Sequence, residues 1–245
     1  MRKISEKLSY FSNTDKVIWT VSVALITLAF IESGGRDTLN YIASLIGVTS
    51  LIFCAKGNPA GPALMIAFAA FYGYISYRFA YYGELITYVG MTLPMSVWSL
   101  IEWLKNPHKG QRSQVSVNSK LSKKEWALMA ALTIAVTVAF YFILSALGTA
   151  NIIPSTISVT TSFAAAYLTA RRSPYYALFY AMNDIIVLIV LWALAAAEDS
   201  GYFSVVICFA VFLINDVYGF ISWKRMEKNQ NKDTDQSDRD ETNKD

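Results

Sequence analysis

The chain has 245 residues, of which 54% are hydrophobic and 16% charged, with a formal net charge of +3. A soluble globular enzyme carries roughly a quarter charged residues, and here the charges gather in the N-terminal arm, in residues 105–124 and after residue 223. The composition excludes a soluble globular domain. Basic residues confined to loops, and not to one aromatic-interleaved face, exclude a nucleic-acid binder.

In chain order, residues 1–16 form a polar arm carrying Arg2, Lys3, Lys7 and Lys16, with no cleavable leader expected. Eight apolar helices follow, at about 17–33, 38–54, 60–80, 84–104, 125–147, 154–170, 175–197 and 202–223. Most approach the ~20 residues needed to cross a bilayer. Gly34-Gly35, Gly57-Asn58-Pro59, Gly83, Asn151 to Pro154, Ser173-Pro174 and Ser200-Gly201 punctuate them. Residues 109–120 read as a flexible polar loop, with Ser122 as N-cap ahead of Glu125. The tail after Lys228 lacks apolar residues and reads as disordered. Trp19, Trp103, Trp126 and Trp223 stand at helix ends and read as interfacial anchors. Cys54 and Cys208 lie in apolar helices, and His108 in a polar loop, so neither a disulfide nor a metal or cofactor is expected.

The basic residues orient the helices. With the N-terminus in the cytoplasm, cytoplasmic segments hold nineteen of the twenty-one Lys and Arg residues; only Arg36 and Arg78 fall on the other side. Both termini are thus expected inside.

Two stretches repeat. Residues 44–50 (SLIGVTS) match 155–161 (STISVTT), and residues 97–103 (VWSLIEW) match 217–223 (VYGFISW). Pro59 and Pro174 recur in the same order. The expected organisation is an arm and extra helix (1–37), a three-helix repeat (38–104), a basic loop and linker helix (105–153), a second repeat (154–223) and the tail (224–245). A single linker helix makes the repeats parallel. Transporters commonly seat their substrate near the midplane at such a repeat interface.

The segment YYALFYAMNDIIVLIVLW (175–192) carries Asn183 and Asp184 in an apolar helix, and Asn215-Asp216 repeats the pair. Such groups in hydrocarbon usually face a bundle interior or a watery cavity. Tyr176, Phe179, Tyr180 and Asn183 share one helical face. Flat aromatic faces suit a heteroaromatic or cationic ring, and amides and carboxylates suit sugar hydroxyls. Trp98 and Tyr218 hold matching repeat positions and are expected to close the site. The competing reading is that these polar groups bond helices to each other. Phosphate-binding loops, HExxH and nucleophile elbows are missing, so an enzyme or ATP-driven pump is not expected.

Residues 71–106 (FYGYISYRFAYYGELITYVGMTLPMSVWSLIEWLKN) and 214–226 (INDVYGFISWKRM) resemble the PnuC family of bacterial nicotinamide riboside transporters. The resemblance covers about 38–226. It implies an all-α integral membrane protein of SWEET-like fold: 3+1+3 parallel repeats with an extra N-terminal helix. It implies the bacterial inner membrane and uptake of nicotinamide riboside by facilitated diffusion, trapped by a cytoplasmic riboside kinase. The family's W-x-x-W-x-x-x-N motif falls on Tyr176, Phe179 and Asn183, with smaller aromatics in place of both tryptophans. The family's asparagine in the last helix falls on Asn215, ahead of Tyr218-Gly219. Another nucleoside or vitamin, such as a deoxynucleoside or thiamine, is the alternative cargo; a non-transporting scaffold or receptor is the alternative class. A homo-oligomer is also compatible.

Overall fold

The structure, a computed structural model, describes residues 10–32, 34–35, 38–78, 82–149, 152–185 and 203–242. Its helices are α1 (Asn13–Glu32), α2 (Thr38–Ala55), α3 (Ala60–Arg78), α4 (Tyr82–Lys105), α5 (Lys123–Ala146), α6 (Ile152–Ala170), α7 (Tyr176–Asn183) and α8 (Phe203–Thr242). Between α4 and α5 a short antiparallel hairpin joins β1 (Pro107–His108) to β2 (Gln111–Val115). The described residues therefore contain the eight helices expected. The end of the helix expected over 175–197 lies outside them, as does the side chain of Cys208.

Helices α1 to α6 are each long and apolar enough to cross a membrane. Val17, Val21, Leu28, Ile31, Ile134, Phe142 and Ile153 are large, apolar and exposed. In water such a surface would drive association; in a bilayer it faces lipid.

Local chemistry sets the helix ends. The Asn58 carboxamide accepts the Ala60 N–H at 2.9 Å, starting α3. Ser122 and Glu125 form the expected capping box at α5. Helix α4 is not continuous: Thr87–Thr92 is a π turn in which the Leu93 N–H reaches Tyr88 O. Pro94 has no N–H to donate, so the regular ladder cannot run through this point.

Helix packing repeats itself. α2 packs on α3 and α3 on α4, as α6 packs on α7 and α7 on α8. Across the halves, α4 packs on α6 and α8 on α2. α5 packs on α6, and α1 leans on both α2 and α8.

The ends of α2 and α6 match atom for atom. Gly57 (φ 63°) and Arg172 (φ 58°) each adopt the left-handed conformation that turns the chain. Gly57 N–H bonds Cys54 O and Asn58 N–H bonds Phe53 O, while Arg172 N–H bonds Thr169 O and Ser173 N–H bonds Leu168 O. Pro59 and Pro174 follow. This equivalence sets the first two helices of the repeats one helical turn away from the sequence match of 44–50 with 155–161.

Trp103 and Trp223 are not interfacial anchors. Both are fully buried, with ring centroids 5.4 Å apart. Trp103 Nε1 donates to Thr169 O at 2.8 Å, and Trp223 Nε1 donates to Cys54 O at 2.7 Å. Cys54 and Thr169 are equivalent positions in the two caps, so each repeat's last helix grips the other repeat's first helix. An indole at a helix end becomes core when a carbonyl satisfies its N–H.

Two further expectations are corrected. Residues 109–120 are not a free loop. They contain β2, and the strand and the strap after it span the basic end of the bundle. Val115 N–H bonds Gly57 O and Asn118 N–H bonds Arg172 O, both at 2.9 Å. The tail is not disordered through residue 242, because α8 continues into it. Gln230 is buried, accepting the Val117 N–H at 2.7 Å and donating to Val115 O at 3.0 Å. Lys109 contacts Asp233 at 2.7 Å and, together with His108, holds that carboxyl below the usual carboxylate range.

Candidate functional site

A cavity of about 30 Å³ lies where the two repeats meet. Leu51 and Cys54 of α2 face Ala166 and Thr169 of α6 across it. These are equivalent pairs, separated by the same interval as Gly57 and Arg172. Met65 of α3 and Tyr180 of α7 form another such pair. Pro62, Met95, Ser96, Ser99 and Tyr176 complete the lining. The cavity thus sits on the pseudo-symmetric seam. It has room for a water or two, so a solute with a ring and a sugar enters only when the walls move. Met65 and Met95 are unbranched and adapt readily.

The expected site residues divide into three groups. Tyr176 and Tyr180 line the cavity. Tyr176 is buried against Trp223, with ring centroids 5.1 Å apart. Phe179 and Trp98 are half-buried against the same core, and Trp98 meets Tyr167 edge-on at 5.5 Å. Neither lines the cavity.

Asn183, Asp184, Asn215 and Asp216 are all buried. The two asparagines do not meet. Asn183 Oδ1 accepts the Thr161 hydroxyl of α6 at 2.8 Å. Asn215 Nδ2 donates to Ser22 of α1 at 2.9 Å and to Val211 O at 2.8 Å. The two carboxyl groups are buried neighbours that interact with one another. Asp184 Oδ2 and Asn215 Oδ1 are buried with no hydrogen-bond partner among the described residues. Unsatisfied buried acceptors call for water or a ligand.

Tyr218 does not close the cavity. Its hydroxyl donates to Asp15 of α1, a fully buried carboxylate that also takes Ser12 N–H and hydroxyl bonds and lies 3.2 Å from Lys56 Nζ. Helix α1 is therefore more than an anchor: Asp15 and Ser22 hold α8 at two points. These residues escaped the sequence reading because α1 lies outside the repeat. Cys54, Met65, Met95 and Thr169 escaped it because nothing in their chemistry marks them; the repeat interval, in its correct register, leads only from Tyr180 to Met65.

The family described as nicotinamide mononucleotide transporter matches residues 37–225. The nicotinamide riboside transporter PnuC of Neisseria mucosa is 26% identical over 217 residues, covering 87% of this chain and 82% of the relative. PnuC of Haemophilus influenzae is 22% identical over 217 residues, covering 88% and 92%. The crystal structure of the vitamin B3 transporter PnuC superposes with a TM-score of 0.74 at 22% identity, covering 90% of this chain and 94% of that one. That likeness establishes a shared fold.

Proposed function

Because the chain belongs to the nicotinamide mononucleotide transporter family, a family of multi-pass membrane transporters and not enzymes, we propose that it carries nicotinamide riboside into the cell. The cavity on the seam between the repeats carries this reading. Its tyrosines offer faces to the solute's cationic nicotinamide ring. Ser96, Ser99 and the Thr169 hydroxyl offer partners to ribose. Transport is by facilitated diffusion in the bacterial inner membrane, with the basic end of the bundle facing the cytoplasm. A cytoplasmic riboside kinase traps the product. Both curated relatives bear the name nicotinamide riboside transporter, which supports the cargo. Smaller aromatics where the family motif has tryptophan leave room for a different base, so a deoxynucleoside or thiamine is the alternative cargo. Proteoliposomes given each labelled solute separately decide: saturable uptake of nicotinamide riboside alone supports the assignment. Saturable uptake of only another solute replaces the cargo and keeps the class.

A second reading rests on the Asp184–Asp216 contact. Two buried carboxyl groups side by side between α7 and α8 suit a proton-coupled carrier. Uptake into kinase-free vesicles that collapses when an uncoupler is added selects it; uptake indifferent to the uncoupler selects facilitated diffusion.

A further inference from the structure

At the basic end of the bundle, away from the seam, lies a larger pocket of about 350 Å³. Its walls are Ser119, Lys120 and Leu121 of the strap, Trp126 in the first turns of α5, and Ser173 and Tyr175 at the start of α7. Trp126 and Tyr175 meet edge-on at 6.1 Å, and Lys224 of α8 reaches over the Tyr175 ring at 5.2 Å. Among the described residues, no carboxylate lies within ion-pair distance of Lys120, Lys123 or Lys124. The nearby acids are already engaged, Glu125 by Arg171 and Glu227 by Lys224. The pocket is therefore basic, and the Ser119 hydroxyl in its wall donates to Asn231 Oδ1 of α8 at 3.5 Å.

Its depth and surroundings narrow the ligand. It opens where the transmembrane helix α5 begins, beside a Trp and a Tyr, which is headgroup level. One exposed apolar stripe runs from it into the hydrocarbon: Leu178 and Met182 on α7, in line with Tyr175. A soluble phosphate would use the lysine but have no use for the stripe.

We propose that this pocket binds the headgroup of an anionic phospholipid. Lys120 faces the phosphate, and an acyl chain follows the stripe. Basic pockets between membrane helices on the cytoplasmic side recognise lipid headgroups by this chemistry. The ligand would tie the strap to α5 and α7, holding together the elements that close the basic end.

The test is native mass spectrometry on the full-length protein. Phosphatidylglycerol is titrated against phosphatidylcholine with the same acyl chains. The expected result is selective retention of phosphatidylglycerol that Lys120→Gln weakens about fivefold, the effect of one surface lysine on an anionic headgroup. The exposed Lys120 side chain makes no bond needed for folding, so the variant stays informative. Equal retention of both lipids, or selectivity unchanged in Lys120→Gln, overturns the proposal. Displacement of phosphatidylglycerol by millimolar inorganic phosphate assigns the pocket to a soluble phosphate compound and also overturns it.

Discussion

Tyr180 and Met65 face one cavity from equivalent places, yet one is aromatic and the other is not. The two repeats have kept a common frame and divided the recognition unequally. Tyr180→Leu keeps the bulk of the wall and removes the ring face. A cation–π contact worth about 1–2 kcal/mol predicts a KM for nicotinamide riboside about tenfold higher with little change in membrane abundance. Phe179→Leu, off the cavity, is predicted to leave KM within about twofold. Trp103 and Trp223 make a stricter pair. Trp103→Phe and Trp223→Phe each remove the indole donor from a carbonyl that keeps its cap N–H bond, and each is predicted to cost about 1 kcal/mol in thermal unfolding. Their effects should be similar because their positions are equivalent. A negligible loss in one and a large loss in the other would break the reciprocity. Composition could not distinguish these two from Trp126: all three are indoles at helix ends, and only the three-dimensional packing supplies the carbonyls.

At the scale of elements, the hairpin, its strap and the α8 extension form one layer over the basic end. Gln230 supplies two of its bonds, to Val115 and Val117. Gln230→Ala is predicted to raise hydrogen exchange and protease cleavage within residues 109–121, with the transmembrane helices unchanged. Helix α1 is coupled through Asn215. Asn215→Leu removes the donor to Ser22 and places an apolar side chain against a buried hydroxyl, a change of about 1–3 kcal/mol. Its predicted signature is a lower unfolding temperature, with KM retained in the protein that folds. Much of this level was legible in the sequence. Gly, Pro and apolar length marked eight helices, and the polar Asn-Asp pairs marked α7 and α8 as unusual. The register of the repeat slipped by one turn because Ser and Thr recur at helical spacing along α2 and α6, so two alignments compete. The bonds of the caps decide between them. The ordered tail was illegible because its composition is polar throughout; it is helical as a continuation of α8 and is held by backbone groups of a distant hairpin.

At the scale of the molecule, two three-helix units exchange their last helices' tryptophans and enclose a cavity too small for the solute proposed to pass through it. The protein must therefore visit at least one wider conformation. The reciprocal Trp contacts lie at the basic end. Gly61 is a useful probe of the packing within one unit. A Cβ there would lie 2.7 Å from the Cys54 backbone nitrogen and 2.5 Å from its sulfur. Gly61→Ala forces α2 and α3 apart, an overpacking cost of about 1–3 kcal/mol. The most direct test of the central claim is nicotinamide riboside uptake by purified protein in kinase-free proteoliposomes, wild type beside Tyr180→Leu. The account predicts saturable uptake that equilibrates without a gradient and a KM raised about tenfold by the substitution. Saturable uptake with the same KM in both proteins would contradict it.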